Sequence, residues 1–92
     1  MSYDSETFKR ELDQVLGEVR GMLIVKNEAY NDSALNPVPF FSKLSARERL
    51  FVRIDDKLNR FLNGKAAGED TLQDLLGYFI LERIDAKRNS KT

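Results

Sequence analysis

The sequence predicts an all-α fold: a bundle of three main helices forming one domain over residues 1–92. Two observations lead there. Apolar residues recur at i, i+3, i+4 and i+7 in three separate stretches, and the segments between those stretches are rich in Pro, Gly, Asn and Ser. A chain of 92 residues holds one modest core and has no room for a second domain. Because so short a chain buries a limited fraction of its surface, oligomerisation is expected to complete the bundle.

The first helix is expected over about residues 5–30. Phe8, Leu12, Val15, Leu16, Val19, Met22 and Leu23 form its apolar stripe, and Asp4 or Ser5 stands where a cap belongs. At about 100° per residue, Lys26 and Tyr30 continue that stripe toward the interior, where a lysine needs a partner. Residues 31–43 carry Pro37, Pro39 and the pair Phe40-Phe41. Prolines two apart hold the chain out of the helical region, so this is a loop, with the phenylalanines as its anchors or as part of a lid over a small ligand. Ser45-Ala46-Arg47-Glu48 is a capping box that opens a second helix over 46–63, with Leu50, Phe51, Ile54, Leu58, Phe61 and Leu62 on one face and Asn63-Gly64 as its stop. The third helix, over 69–87, repeats the period with Leu72, Leu75, Leu76, Phe79, Ile80 and Ile84, and Glu69 and Asp70 suit its N-terminus. Gly77, Tyr78 and Leu81 add apolar or small groups on another side, as in a central helix or an oligomer contact. The last residues, Asn89 to Thr92, are expected to fray.

Composition removes several classes of chemistry. Fifteen Lys and Arg balance fifteen Asp and Glu, so no net field draws in polymeric DNA or RNA. Without Cys or His there is no thiolate, no imidazole base and no zinc site of the usual kind. A metal site built here uses oxygen donors, which suit Mg²⁺ or Mn²⁺. No apolar run has the roughly 18 residues of a membrane span, and the first residues lack the pattern of a secretory leader. The expected location is the cytoplasm.

The polar rows carry the candidate chemistry. Arg49, Arg53, Asp56 and Arg60 share one flank of the second helix, while Asp70, Asp74 and Tyr78 form an i, i+4, i+8 row on the third. One account treats them as solvated ion pairs, such as Asp56 with Arg60, worth about 0.3–0.5 kcal/mol each. The other starts from Asp70 and Asp74, like charges whose repulsion asks for a cation from elsewhere. Asp56, Asp70 and Asp74, with Glu69 beside them, would hold Mg²⁺, and Arg53, Lys57 and Arg60 would neutralise the phosphates it brings. Lys26 and Asn27 are either ordinary helix-end residues or ligand contacts. Tyr30 and Tyr78 are either core aromatics or partners for a base.

The order of these motifs, Val25-Lys26-Asn27-Glu28-Ala29-Tyr30-Asn31-Asp32-Ser33, then Arg53-Ile54-Asp55-Asp56-Lys57-Leu58-Asn59-Arg60, then Glu69-Asp70 through Asp74 to Tyr78, resembles the phage-associated nucleotide modification associated domain 1 group. That group looks like a distant branch of the all-α, MazG-like nucleoside triphosphate pyrophosphohydrolases. The resemblance covers roughly residues 15–86. It implies an Mg²⁺-dependent protein that handles nucleotides, works in the host cytoplasm if phage-encoded, and assembles as a dimer or tetramer. It also implies that Lys26, Asn27, Tyr30, Asp56, Lys57, Arg60, Asp70 and Asp74 are site residues. The chain departs from the MazG-like pattern in having no E-x-x-E, in spacing its acidic helix by four, and in placing Asn31 where a glycine usually follows the tyrosine. Three readings follow: a pyrophosphohydrolase in which Asp56, Asp70 and Asp74 are catalytic, a binding protein that sequesters a nucleotide signal uncut, and a helical assembly module without a ligand.

Overall fold

Asp4 starts the first helix by accepting hydrogen bonds from the Glu6 and Thr7 amides, satisfying N–H groups that a helix leaves without partners at its N-terminus. The structure, a computed structural model, describes residues 4–90. Its elements are α1 (Ser5–Ala29), α2 (Ala46–Leu62) and α3 (Thr71–Arg88). The all-α bundle predicted from the periodicity is the fold, and no strand occurs among the described residues. Ser45 and Glu48 close the expected capping box of α2, and Asn63 with Gly64, at φ 67°, ends it.

Helices α2 and α3 form an antiparallel hairpin. Arg47 near the start of α2 meets Glu82 late in α3, while Lys57 late in α2 meets Asp74 early in α3. The core is small: Val19, Leu35, Leu50, Ile54 and Leu75 are the buried apolar residues, with Leu50 fully enclosed. Helix α1 joins the hairpin through its second half, and the approach is close because α3 offers Gly77 there. A Cβ on Gly77 would stand 2.9 Å from Met22 Cε and 3.2 Å from Leu23 Cδ2. Among the described residues of α1, Val19 is the buried one.

Three expectations about packing change. Phe8, Leu12, Val15 and Leu16 are exposed, whereas the close contacts of α1 with α3 are made farther along the helix by Met22, Leu23 and Lys26. Phe40 and Phe41 do not anchor the loop, since they stand 83% and 103% exposed. On α3 the buried side is Thr71, Leu75, Gly77, Glu82 and Asp85, whereas Leu72, Leu76, Phe79 and Ile84 remain exposed. The rotation that sets Asp74 against Lys57 and Glu82 against Arg47 turns those apolar residues outward. At the other end, Asn89 caps α3, its side-chain amide donating to the Asp85 carbonyl; Lys91 and Thr92 lie outside the described residues.

Candidate functional site

Helix α1 ends in a turn that the dipeptide Asn31-Asp32 makes possible. Both residues have left-handed backbones, at φ 52° and 60°. Asn and Asp tolerate that region better than other side chains with a Cβ. Asp32 then ties three segments together. It accepts hydrogen bonds from the Arg88 guanidinium at 2.7 Å and from the Asn27 amide at 2.6 Å. The Arg88 contact, followed by that of Asn27, holds the Asp32 carboxyl below the usual carboxylate range. Ser33, Ala34 and the buried Leu35 are thereby drawn against the helices.

Between this turn and the helices lies a cavity of about 340 Å³, at the small end of ligand-site volumes. Lys26, Asn27 and Tyr30 line it from the end of α1, Arg53 from α2, and Tyr78 from α3; Leu23 and Leu81 supply apolar wall. Lys26 is partly balanced by Asp74, 3.5 Å away. Arg53 has no ion-pair or hydrogen-bond partner among the described residues. The cavity therefore presents an uncompensated guanidinium, an ammonium, an amide, two phenols and the Asp32 carboxylate, itself neutralised by Arg88, over an apolar floor. Those groups match a ligand with an anionic end and a flat aromatic end.

Beside the cavity runs a chain of alternating charges. Asp56 pairs with Arg60 at 3.4 Å, Arg60 with Glu69 at 2.9 Å, Lys57 with Glu69 at 2.7 Å and with Asp74 at 2.9 Å, and Asp74 with Lys26. Lys57 is the centre of it, its side chain only 12% exposed. Hydrogen bonds first to Glu69 and then to Asp74 raise the Lys57 ammonium above its ordinary pKa, since both partners favour the charged form. The same contact, chiefly, keeps Glu69 low. Burial works to raise Asp74, yet the hydrogen bond from Lys57 and the charge of Lys26 leave it lowered.

The predicted site residues thus fall into two adjoining groups and one outlier. Lys26, Asn27, Tyr30, Arg53 and Tyr78 share the cavity. Asp56, Lys57, Arg60, Glu69 and Asp74 share the ionic chain, joined to the cavity through Lys26. Asp70 stands apart as the N-cap of α3, its carboxylate accepting from the Gln73 amide at 3.1 Å. Asp70 therefore precedes the helical body, where the Gln73 N–H and the positive end of the helix dipole favour its charge. These carboxylates do not fit a divalent-ion site as arranged. The Lys57 ammonium fills the space between Glu69 and Asp74, and no group of three or more Asp or Glu converges among the described residues.

Asp32, Arg88, Leu23 and Leu81 also build the site and were not singled out from the sequence. The Asn-Asp pair following a helix end was the available signal for Asp32, because it marks a left-handed turn. Arg88 lies 56 residues away in sequence, and no local pattern gives its reach. No protein-family model, curated protein or solved structure matches the chain.

Proposed function

We propose that the chain binds a nucleotide, or a nucleotide-derived phosphorylated small molecule, in the cavity between the end of α1, Arg53 and Tyr78, and holds it without cutting it. One observation carries this reading: residues of three helices, Lys26, Asn27 and Tyr30 from the end of α1, Arg53 of α2 and Tyr78 of α3, line a single ligand-sized cavity, and the arginine has no partner among the described residues. Arg53 suits phosphate by its planar fork, Lys26 adds a point charge, and Tyr30, Tyr78 and Asn27 suit a base through ring faces and amide hydrogen bonds. Binding is favoured over hydrolysis because Lys57, Arg60 and Lys26 already occupy the carboxylates that hydrolysis would need for Mg²⁺. A protein of this kind sequesters a nucleotide signal in the cytoplasm, a host's if phage-encoded, and works as a dimer or tetramer.

The second reading is an Mg²⁺- or Mn²⁺-dependent nucleoside triphosphate pyrophosphohydrolase using Asp56, Asp70 and Asp74. The contact of Asp74 with Lys26, on the cavity wall, is what favours it. It requires Lys57 to leave the carboxylates when the ligand arrives.

Calorimetric titration with a panel of nucleoside mono-, di- and triphosphates, with and without Mg²⁺, tests both. The expected result is saturable binding that Arg53→Ala weakens by about 100-fold, as loss of a charge-assisted bidentate contact does, with the ligand recovered intact after denaturation. Absence of binding across the panel, or unchanged affinity in Arg53→Ala, overturns the binding site. Pyrophosphate release that disappears in Asp74→Ala replaces it with the hydrolase.

A further inference from the structure

The chain exposes far more surface than its mass warrants. A folded monomer of 10.6 kDa presents roughly 5,500 Å² by the scaling of globular proteins, whereas this chain presents 7485 Å². Its radius of gyration, 16.0 Å, likewise exceeds the roughly 12 Å of a globular chain of this length. The excess, roughly 2,000 Å² per copy, is what a large obligate dimer buries on each subunit.

Two apolar surfaces contribute to the excess. One is the arm of α1, where Phe8, Leu12, Val15 and Leu16 form an exposed stripe over about two helical turns ahead of Val19. The other is a face of the hairpin. On α3, residues Gln73, Asp74 and Gly77 meet α1, and Thr71, Leu75 and Glu82 are buried in the hairpin. Leu72, Leu76 and Phe79 point to the remaining side and are exposed. Phe61 and Leu58 of α2 are exposed as well. An isolated helical arm with a bare apolar stripe is marginal in water, because most helical stability comes from packing of that stripe.

We propose that a second copy of this chain covers both surfaces reciprocally. The α1 arm of each copy lies along the Leu72–Leu76–Phe79 face of the other. A two-fold contact must bring arm to face and face to arm at once, and this chain carries both halves. The arm supplies a stripe at i, i+4, i+7, i+8, and the face supplies one at i, i+4, i+7, so ridges and grooves of the same period meet. The inference deepens the assembly included in the reading above and is independent of the ligand.

Two measurements separate the assembly from its geometry. Light scattering of the full chain reads the mass; the expected value is at least twice that of one chain, shifted to one chain in Leu12→Asp and equally in Leu76→Asp. Both substitutions fall on residues exposed in the single chain, so the α2–α3 hairpin stays folded in a cooperative thermal transition, and any loss of helical circular dichroism is confined to the uncovered α1 arm. The absence of native Cys allows the second measurement. A Leu12→Cys chain mixed with a tagged Leu76→Cys chain and oxidised is expected to give the mixed disulfide in excess of either like-with-like product. A monomeric parent overturns the assembly and the arm exchange together. A dimeric parent that yields like-with-like disulfides alone, or that keeps its mass in Leu76→Asp, overturns the arm exchange and leaves the assembly standing.

Discussion

The hairpin of α2 with α3 and the projecting half of α1 carry the same amphipathic period, and they end up in different circumstances. In the hairpin, Leu50, Ile54 and Leu75 are enclosed, and the polar flanks are knit by Lys57 with Glu69 and Asp74 and by Arg47 with Glu82. On α1, Leu12, Val15 and Leu16 are as regularly spaced and stay exposed within the chain. Periodicity states that a face must be covered. It does not state which surface covers it, and a helix longer than its neighbours leaves part of its stripe uncovered within the chain.

Leu50→Ala against Leu12→Ala gives the largest contrast. Removing the fully enclosed Leu50 is expected to cost about 2–5 kcal/mol in urea unfolding, the range for a leucine in a core. The same change at Leu12 is expected to leave unfolding of the isolated chain unaltered within about 0.5 kcal/mol, and to act on concentration-dependent stability instead. Equal costs at both positions in dilute protein would erase the distinction between the two regions.

Lys57→Met sharpens the comparison within the hairpin. It leaves Glu69 with Arg60 and Asp74 with Lys26, each short of one hydrogen bond and partly buried, and is expected to destabilise the protein by about 1–3 kcal/mol. Because the folded pKa of Lys57 is raised, its contribution is complete below pH 10.5 and fades as pH rises past that value. Alkaline unfolding of the parent should therefore be steeper than that of Lys57→Met, as followed by circular dichroism.

Acid has the opposite sign at Glu82. Its hydrogen bond from Arg83, with Arg47 adding to it, lowers the carboxyl from 4.5 to about 2. The stability it supplies is present above pH 4.5 and is lost as pH falls toward 2. In Glu82→Gln the stability curve should flatten across that window, and an unchanged acid limb would show the pairing to be energetically idle. Smallest of all, Phe41→Ser is expected to change unfolding by less than about 0.5 kcal/mol, since its ring meets solvent.

What was legible in the sequence follows from the range of the forces involved. Capping by Asp4, the Ser45–Glu48 box and the stop at Asn63-Gly64 are interactions within a few residues, and each is where the sequence puts it. The gathering of Lys26, Asn27 and Tyr30 was also readable, because one helical turn fixes their common side. The rotation of α3 was not. Two apolar stripes are available on that helix, and the choice between them depends on cross-helix partners such as Arg47 for Glu82, 35 residues apart. Asp56, Glu69 and Asp74 are joined only through Arg60 and Lys57, and Asp70 stands apart, so the expected convergence of three carboxylates is not what the helices present. The relief of Glu69 and Asp74 by Lys57 instead of a metal depends on a distance that no spacing rule contains.

The central claim is that the Lys57 ammonium, not a divalent ion, neutralises Glu69 and Asp74 beside the cavity. Manganese titration of the isotope-labelled protein, read as paramagnetic broadening of backbone amides, tests it most directly. The account predicts no saturable broadening at residues 69–75 in the parent protein and its appearance in Lys57→Ala. Site-specific broadening centred on Asp74 in the parent, with Lys57 unchanged, would contradict it.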